Sequence, residues 1–180
     1  MRPLTMLLSI GKQLTGDNCM VFDRSYRKGT LLWHAHFSWL QATVYGAIII
    51  YPKNGVHYPF KAPHAHIIVL GEYWLKDAIE LEKAALAGGG VTFPTDAYTI
   101  NGHPGPNYNC SANDVYKIEV VAGKTYWLRI INAALNMEHF FTNANHKLTI
   151  VEADTEYTKP FSVNWLMSPG QTMNILVKAD

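Results

Sequence analysis

Two histidines, His34 and His36, are separated by a single residue inside the apolar and aromatic run 29–40. In a β-strand successive side chains point to opposite faces, so this spacing places both imidazoles on the same face, about 6 to 7 Å apart. Neutral imidazole is a common ligand of zinc, copper and iron. The spacing therefore indicates a metal site, although such a pair in a core strand can also serve only to hydrogen-bond backbone carbonyls.

The segments that must position this pair are predicted to be β-strands. Residues 30–37 and 42–51 are rich in β-branched and aromatic side chains, and we expect them to pair as neighbours. The polar, proline-bearing passage that follows, up to Pro63, is the best linker in the sequence. We therefore expect two units, residues 1–61 and residues 62–180.

The second unit is predicted to contain one good helix and several short strands. The helix is expected over 74–86, with Leu75, Ile79 and Leu86 on one face and three glycines ending it. A hairpin is expected between 116–120 and the strand from Tyr126, around the turn at Gly123. The remaining strands are expected at 66–71, 147–151 and 172–178. This pattern is typical of an all-β Greek-key sandwich or barrel.

Composition excludes several classes of function. With 48% hydrophobic residues, a chain of 180 residues can bury a substantial core. The net charge is +1 without a basic run, so we expect no nucleic-acid partner. No apolar stretch approaches the roughly 18 residues needed to span a bilayer, so we expect no membrane partner. Residues 4–10 are too short an apolar segment for a working signal peptide, and no small-x-small cleavage site follows before Lys12.

A family resemblance adds to this interpretation. The run 29–47, which carries the histidine pair, resembles the second copper motif of the plant laccases, a branch of the multicopper oxidases. Further segments that resemble the family follow in its order and approximate spacing, among them Asp96-Ala97-Tyr98-Thr99-Ile100-Asn101-Gly102, Arg129-Ile130-Ile131-Asn132-Ala133-Ala134-Leu135 and Ser168-Pro169-Gly170-Gln171-Thr172. The likeness covers about residues 29–180, whereas residues 1–28 lack a convincing match.

The resemblance implies a fold and an activity. It implies cupredoxin-like units, with residues 1–61 as the end of a first domain and 62–180 as most of a second. It also implies a copper-dependent oxidoreductase of the cell exterior (the apoplast) that oxidises phenols of the lignin type and reduces dioxygen to water. By position, His34 and His36 match histidines that hold the type 3 copper pair of a trinuclear cluster, and Trp33 would shield them.

Departures from the family pattern qualify this expectation. Neither the family's His-Trp-His-Gly motif nor its His-Cys-His motif occurs in the sequence, so the type 1 copper ligands are missing and the cluster's ligand set is incomplete. Cys19 and Cys110 lack the partners that they have in relatives, which leaves their disulfide state open. A second pair, His64 and His66, matches a family region without a copper role. We therefore expect a truncated laccase that is inactive alone.

Two alternatives stay open from the residues themselves. A non-catalytic cupredoxin-like module with at most weak metal binding would keep the fold without the missing motifs. A dinuclear metal hydrolase of the barrel type would also contain a His-x-His pair, but it needs alternating strands and helices. The single predicted helix disfavours the hydrolase.

Overall fold

A computed structural model describes residues 5–10, 19–21, 28–52, 57–61, 65–90, 93–108, 111–162 and 164–180. Within these ranges the chain forms a four-stranded sheet, a six-stranded sheet and a two-stranded sheet, with one α-helix. The expected all-β architecture with one main helix is confirmed. No described helix has the length and apolar character required to span a membrane.

The first sheet carries the histidine pair. It is built from β1 (Thr5–Ile10), β2 (Cys19–Val21), β3 (Gly29–His34) and β4 (Tyr45–Ile50), in the antiparallel order β2-β1-β4-β3. The expected pairing of the two neighbouring strands is confirmed, with His34 opposite Tyr45. Both strands are shorter than predicted, because a 3-10 helix at Ser38–Ala42 turns the chain between them.

The second sheet packs against the first. Its strands, and those of the two-stranded sheet, are β5 (Ala65–Tyr73), β6 (Ala97–Ile100), β7 (Thr125–Asn132), β8 (His139–Phe141), β9 (Leu148–Ala153), β10 (Glu156–Phe161), β11 (Trp165–Met167) and β12 (Thr172–Lys178). The six-stranded order is β10-β9-β12-β7-β5-β6, in which β5 and β7 are parallel, and β8 pairs with β11.

The hairpin predicted between 116–120 and the strand from Tyr126 is wrong. Residues 116–120 form no strand, although the predicted turn is present and the amide of Lys124 donates to the carbonyl of Val121 at 3.1 Å. The physical reason is that β7 already pairs with β12 on one edge and with β5 on the other. The alternating pattern instead reflects side-chain packing, because Tyr116 and Ile118 lie against the core.

The helix α1 (Ala78–Ala87) begins four residues later than predicted. The Asp77 carboxylate caps it by accepting hydrogen bonds from the amides of Ile79 at 2.9 Å and Glu80 at 3.2 Å. The predicted apolar face is wrong, because Leu75 precedes the helix and is 69% exposed, and Leu86 is 72% exposed. The buried residues are Ala78, Leu81 and Ala85. The glycine run ends the helix as expected, with Gly89 at φ +82°.

Two apolar clusters hold the sheets together. The larger lies on one face of the six-stranded sheet and includes Ile130, Ile150 and Ile175, each at most 2% exposed. The smaller joins the two main sheets, because Ala47 and Ile49 of β4, with Leu32 of β3, pack against β5 and β7 of the second sheet. Burial across this junction fixes the histidine-bearing strand on the six-stranded sheet.

Candidate metal centre

The predicted juxtaposition of the two imidazoles is present. His34 is the last residue of β3, and His36 follows one residue later in the segment that leads to the 3-10 helix. Their ring centroids lie 6.0 Å apart with an interplanar angle of 28°, and both side chains are exposed. The two rings therefore lie side by side and are accessible to solvent, the arrangement that period 2 of an extended chain predicts. Their role as copper ligands remains a prediction.

The hydrogen bonding of His34 fits a metal ligand. Its Nδ1 atom lies 3.0 Å from the carbonyl oxygen of Ala35, and a carbonyl oxygen can only accept a hydrogen bond. Nδ1 must therefore carry the hydrogen, which leaves a lone pair on Nε2. Histidines that bind metals commonly donate their other ring N–H in this way, which fixes the tautomer. His34 is thus prepared to bind a metal through Nε2.

A cavity of about 230 Å³ adjoins His34. The residues that line it include Leu32, His34, Gln41 and Tyr45 from β3, β4 and the 3-10 helix between them, and Ala133, Ala134, Pro169 and Gly170 from the loops that follow β7 and precede β12. Segments far apart in the sequence form this cavity, and sequence reasoning did not anticipate it.

Tyr45 forms one wall of this cavity. Its side chain is directly opposite His34 in the sheet, and its hydroxyl approaches Gly71 so closely that a Cβ atom at Gly71 would lie 2.7 Å from the hydroxyl oxygen. Burial raises the pKa of Tyr45, so the phenol stays neutral at physiological pH. The wall beside His34 is therefore uncharged.

Two imidazoles do not complete a metal site. Among the described residues, no group of three or more His, Cys, Asp or Glu side chains is close enough to hold a metal ion. Copper sites usually have three or four protein ligands. The pair therefore fits copper as part of a ligand set. His64 and Cys110 lie outside the described residues, as does the side chain of Cys19. The ring of His66 lies beside that of Tyr126, with the two centroids 5.9 Å apart.

A buried polar network anchors β3 behind the histidines. Thr30, which is 0% exposed, donates its hydroxyl hydrogen to Asn174 Oδ1 at 3.0 Å. The Arg129 guanidinium donates to the same hydroxyl at 2.7 Å, and the Thr172 hydroxyl donates to the Thr30 carbonyl at 2.7 Å. The Thr30 amide donates to Glu152 Oε1 at 3.3 Å. One threonine thus connects β3 to three strands of the six-stranded sheet, β7, β9 and β12.

The charged members of this network are fully buried. Arg129 is 1% exposed and packs over the Trp127 ring at 3.7 Å, while its second Nη atom donates to the Tyr58 hydroxyl at 3.2 Å. Burial raises the pKa of Glu152, although its hydrogen bond from Thr30 and the charge of Arg129 act in the opposite direction. Sequence reasoning missed both residues, and the available signal was a charged residue inside each of two otherwise apolar strands.

The segment after His36 is held by a contact with the helix α1. The Ser38 hydroxyl, at a residue with φ 55°, hydrogen-bonds to the Glu82 carboxylate on α1. A positive φ is uncommon for a serine and needs support from its surroundings. The contact therefore helps to fix the turn through which the chain leaves the histidine pair.

Family comparison identifies the class of protein. A multicopper oxidase family model matches residues 64–180, and a second multicopper oxidase model matches residues 15–55. The chain belongs to the multicopper oxidase family.

Curated relatives and solved structures agree with this assignment. The chain is 63% identical over 161 residues to Laccase-6 of Arabidopsis thaliana and 57% identical over 160 residues to Laccase-4 of Oryza sativa subsp. japonica. In both cases 88% of the chain is covered, and it spans only 28% of the relative's length.

The fold is similar to that of multicopper oxidase structures. The laccase from Botrytis aclada matches with a TM-score of 0.69 at 24% identity, covering 86% of this chain and 29% of that one. Fet3p, a multicopper oxidase that functions in iron import, matches with a TM-score of 0.73 at 19% identity, covering 100% of this chain and 36% of that one. The expected cupredoxin-like fold is therefore confirmed.

Proposed function

We propose that His34 and His36 supply two ligands to the type 3 copper pair of a laccase-type oxidoreductase. One observation carries this proposal: the two rings stand 6.0 Å apart, and the bond from Nδ1 of His34 to the Ala35 carbonyl leaves its Nε2 free to bind. Membership of the multicopper oxidase family favours copper over other metals that imidazole binds.

The residues around the pair have separable tasks in this proposal. Copper, when bound, would supply the one-electron redox chemistry by which phenols are oxidised and dioxygen is reduced to water. His34 and His36 would bind it, and the half-buried Trp33 would shield the site. Leu32 and Ala133 contribute apolar side chains to the adjoining cavity, beside the polar groups of Gln41 and Tyr45. The network around Thr30 would hold the strand in register.

The wider biological setting is part of the same proposal. The relatives are named laccases, which supports phenols of the lignin type as reducing substrates and the apoplast as the location. The proposed division into units 1–61 and 62–180 is supported by the gap between the two family matches. One match ends at residue 55, and the other begins at residue 64.

A second function is favoured by one observation. Because the described residues contain no cluster of three metal-binding side chains, the 180-residue chain alone fits a non-catalytic cupredoxin-like module with weak metal binding. The two functions concern different lengths of protein, since the relatives are more than three times longer than the matched part.

Copper titration of the 180-residue protein tests the ligand assignment. Electron paramagnetic resonance should show a weakly bound copper with nitrogen ligands, and His34→Ala or His36→Ala should weaken it by roughly 10- to 100-fold. The exposed His57, changed to Ala, is the matched control and should leave binding unaltered. Binding that survives in the double His34→Ala, His36→Ala variant would contradict the assignment.

Activity measurements separate the two functions. The 180-residue protein loaded with copper should show no blue thiolate absorption and no oxygen uptake with a phenol, because the type 1 ligands are absent from this sequence. In a longer protein that carries the complete set of copper motifs, His34→Ala should stop dioxygen reduction, whereas the phenol should still reduce the type 1 copper. Copper-dependent oxygen uptake by the short chain would overturn this expectation.

A further inference from the structure

The two histidines of the candidate metal centre are held in different ways. His34 is the last residue of β3, where it pairs with Tyr45, and its ring is fixed by the hydrogen bond to the Ala35 carbonyl. His36 lies beyond the end of that strand, so pairing within β3 does not set its direction. Its direction depends on the conformation of the segment that leads into the 3-10 helix at Ser38–Ala42.

This segment belongs to a short closed loop. The amide of Ala35 donates to the carbonyl of Val44 at 2.9 Å, which joins the two ends of the loop. The amide of Val44 also lies 2.8 Å from the carbonyl of Leu40, so the end of the loop farther from His36 is held by the backbone itself. At the beginning, Phe37 occupies the N-cap position of the 3-10 helix, and its side chain has no atom that can accept a hydrogen bond. The end of the loop next to His36 therefore needs support from outside.

The backbone at this end of the loop is strained. Ser38, two residues after His36, has φ 55°, in the left-handed region that residues with a side chain rarely adopt. Such a conformation persists only where its surroundings hold it. Relaxation of Ser38 to a negative φ would change the direction of the chain that carries His36, and with it the separation of the two imidazoles.

The support comes from a carboxylate on the packed face of α1. Positions at the spacing i, i+3, i+4 and i+7 form this face, namely Ala78, Leu81, Glu82 and Ala85. The other three are buried and apolar, whereas Glu82 is half-buried and accepts a hydrogen bond from the Ser38 hydroxyl. A carboxylate loses hydration at such a position and needs a hydrogen-bond donor in return. Glu82 therefore has a specific partner and is not simply a solvated surface charge.

The helix that carries Glu82 is itself fixed at its beginning. The amide of Leu75 donates to Oδ2 of Asp96 at 2.8 Å, and the indole of Trp74 donates to the Pro94 carbonyl at 3.1 Å. These bonds tie the chain that enters α1 to the segment before β6. The position of the Glu82 carboxylate is thus set independently of the loop that it contacts.

We propose that Glu82 is a positioning residue for the copper pair. By accepting the hydrogen bond from Ser38 it holds the left-handed turn, and this turn directs the imidazole of His36 toward the metal that His34 also binds. The inference rests on the proposed function, because it concerns the same two ligands. It adds a residue that acts through Ser38 and not as a ligand.

Nuclear magnetic resonance of the copper-free 180-residue protein tests the positioning without a metal. In Glu82→Ala, the ring resonances of His36 should shift and broaden, whereas those of His34 should move little, because β3 and its own hydrogen bond hold that ring. Glu82→Gln keeps an oxygen that can accept from Ser38, so its spectrum should resemble that of the native protein. Glu80→Ala, at an exposed position of the same helix, is the control.

Copper titration followed by electron paramagnetic resonance measures the consequence for binding. Glu82→Ala should weaken copper binding by roughly tenfold, the lower end of the loss expected when a group that supports a metal ligand is removed. Glu82→Gln should keep most of the affinity. Because Glu82 acts through Ser38, Ser38→Ala should weaken binding by a similar factor, and the double variant Ser38→Ala, Glu82→Ala should bind no more weakly than either single variant.

The two measurements separate this inference from the function on which it rests. A native protein that binds no copper refutes the ligand assignment and leaves the resonances of His36 to decide whether Glu82 positions that ring. Unchanged His36 resonances in Glu82→Ala overturn the proposal. Copper affinity that is equal in the native protein and in Glu82→Ala also overturns it, as do additive losses from Ser38→Ala and Glu82→Ala or equal losses in Glu82→Gln and Glu82→Ala.

Discussion

The guanidinium of Arg129 donates a hydrogen bond of 2.7 Å to the hydroxyl of Thr30, and the two residues are 99 positions apart in the chain. The bond crosses from the six-stranded sheet to the strand that ends at His34. Both side chains are at most 1% exposed, so water cannot replace either partner. This contact is the polar counterpart of the apolar junction between the sheets.

Removing the Thr30 hydroxyl should therefore be costly. Thr30→Val keeps the shape but leaves Nη1 of Arg129 without this acceptor and Asn174 Oδ1 without a donor, so the free energy of unfolding should fall by about 2 to 3 kcal/mol. Urea denaturation measures this. Thr158→Val is the matched control, because its buried hydroxyl has no partner among the described residues and its loss should be neutral or stabilising. Equal losses in both variants would contradict the network.

The stability of the protein should depend on the protonation of Glu152. Burial raises its folded-state pKa above the ordinary value of 4.5, so the folded state binds the proton more tightly than the unfolded chain. This contribution to stability is fully present below pH 4.5 and is lost as the pH rises through the raised pKa. In Glu152→Gln, that part of the pH dependence of the unfolding free energy should disappear.

The exposed Glu156 provides the comparison for this experiment. Glu156→Gln should retain the decrease in unfolding free energy between pH 4.5 and neutrality that Glu152→Gln lacks. A Glu152→Gln profile that is parallel to the native one over this interval would show that Glu152 does not carry the effect.

Gly29 should tolerate no side chain. Its φ is +131°, and a Cβ atom would overlap with Glu152 Oε1 and lie 3.0 Å from the backbone of Thr155. Gly29→Ala should lower the unfolding free energy by about 3 kcal/mol or more, since backbone strain and overlap add. Gly123→Ala separates the two effects, because Gly123 also has a positive φ but has open space around it, and about 1 kcal/mol is expected there. Thermal unfolding of both variants makes the comparison, and similar losses would rule out the overlap.

Asn101 should resist conversion to aspartate. Its amide donates to the Ile67 carbonyl at 2.9 Å and its Oδ1 accepts from the Val69 amide at 2.7 Å, so the side chain extends the pairing along β5. Asn101→Asp places an oxygen against the Ile67 carbonyl and should lower stability by about 1 to 3 kcal/mol at neutral pH, less when the carboxyl is protonated. Chemical denaturation at two pH values measures this. Asn143→Asp, at an exposed position, should change little.

Local pattern was sufficient for some elements and insufficient for others. The strand at Thr172–Lys178 was predicted with its observed ends, and the two imidazoles lie side by side as predicted, although His36 lies beyond the end of β3. The hairpin at 116–120 failed because both edges of β7 are occupied by strands distant in sequence, which no local pattern reports. The predicted helix face was wrong because tertiary contacts of α1 bury Ala78, Leu81 and Ala85 and leave Leu86 exposed.

The candidate site shows the same division. Residue type and spacing indicated His34 and His36, and the family resemblance indicated copper. The contact between Thr30 and Arg129, and the wall that Tyr45 forms beside His34, depend on how two sheets meet. Side chains brought together across such an interface have no fixed spacing in the sequence, so only the folded chain reveals them.

The position of Tyr45 has a consequence for the residue that faces it on β5. Its ring lines the cavity at His34, and its hydroxyl lies against Gly71, where an added Cβ atom would be 2.7 Å from the hydroxyl oxygen. Any side chain at Gly71 would therefore displace the tyrosine ring, and because that ring is part of the cavity wall, the space beside His34 would change with it. A glycine that is 37 positions from His34 in the sequence thus sets the shape of the space next to this histidine.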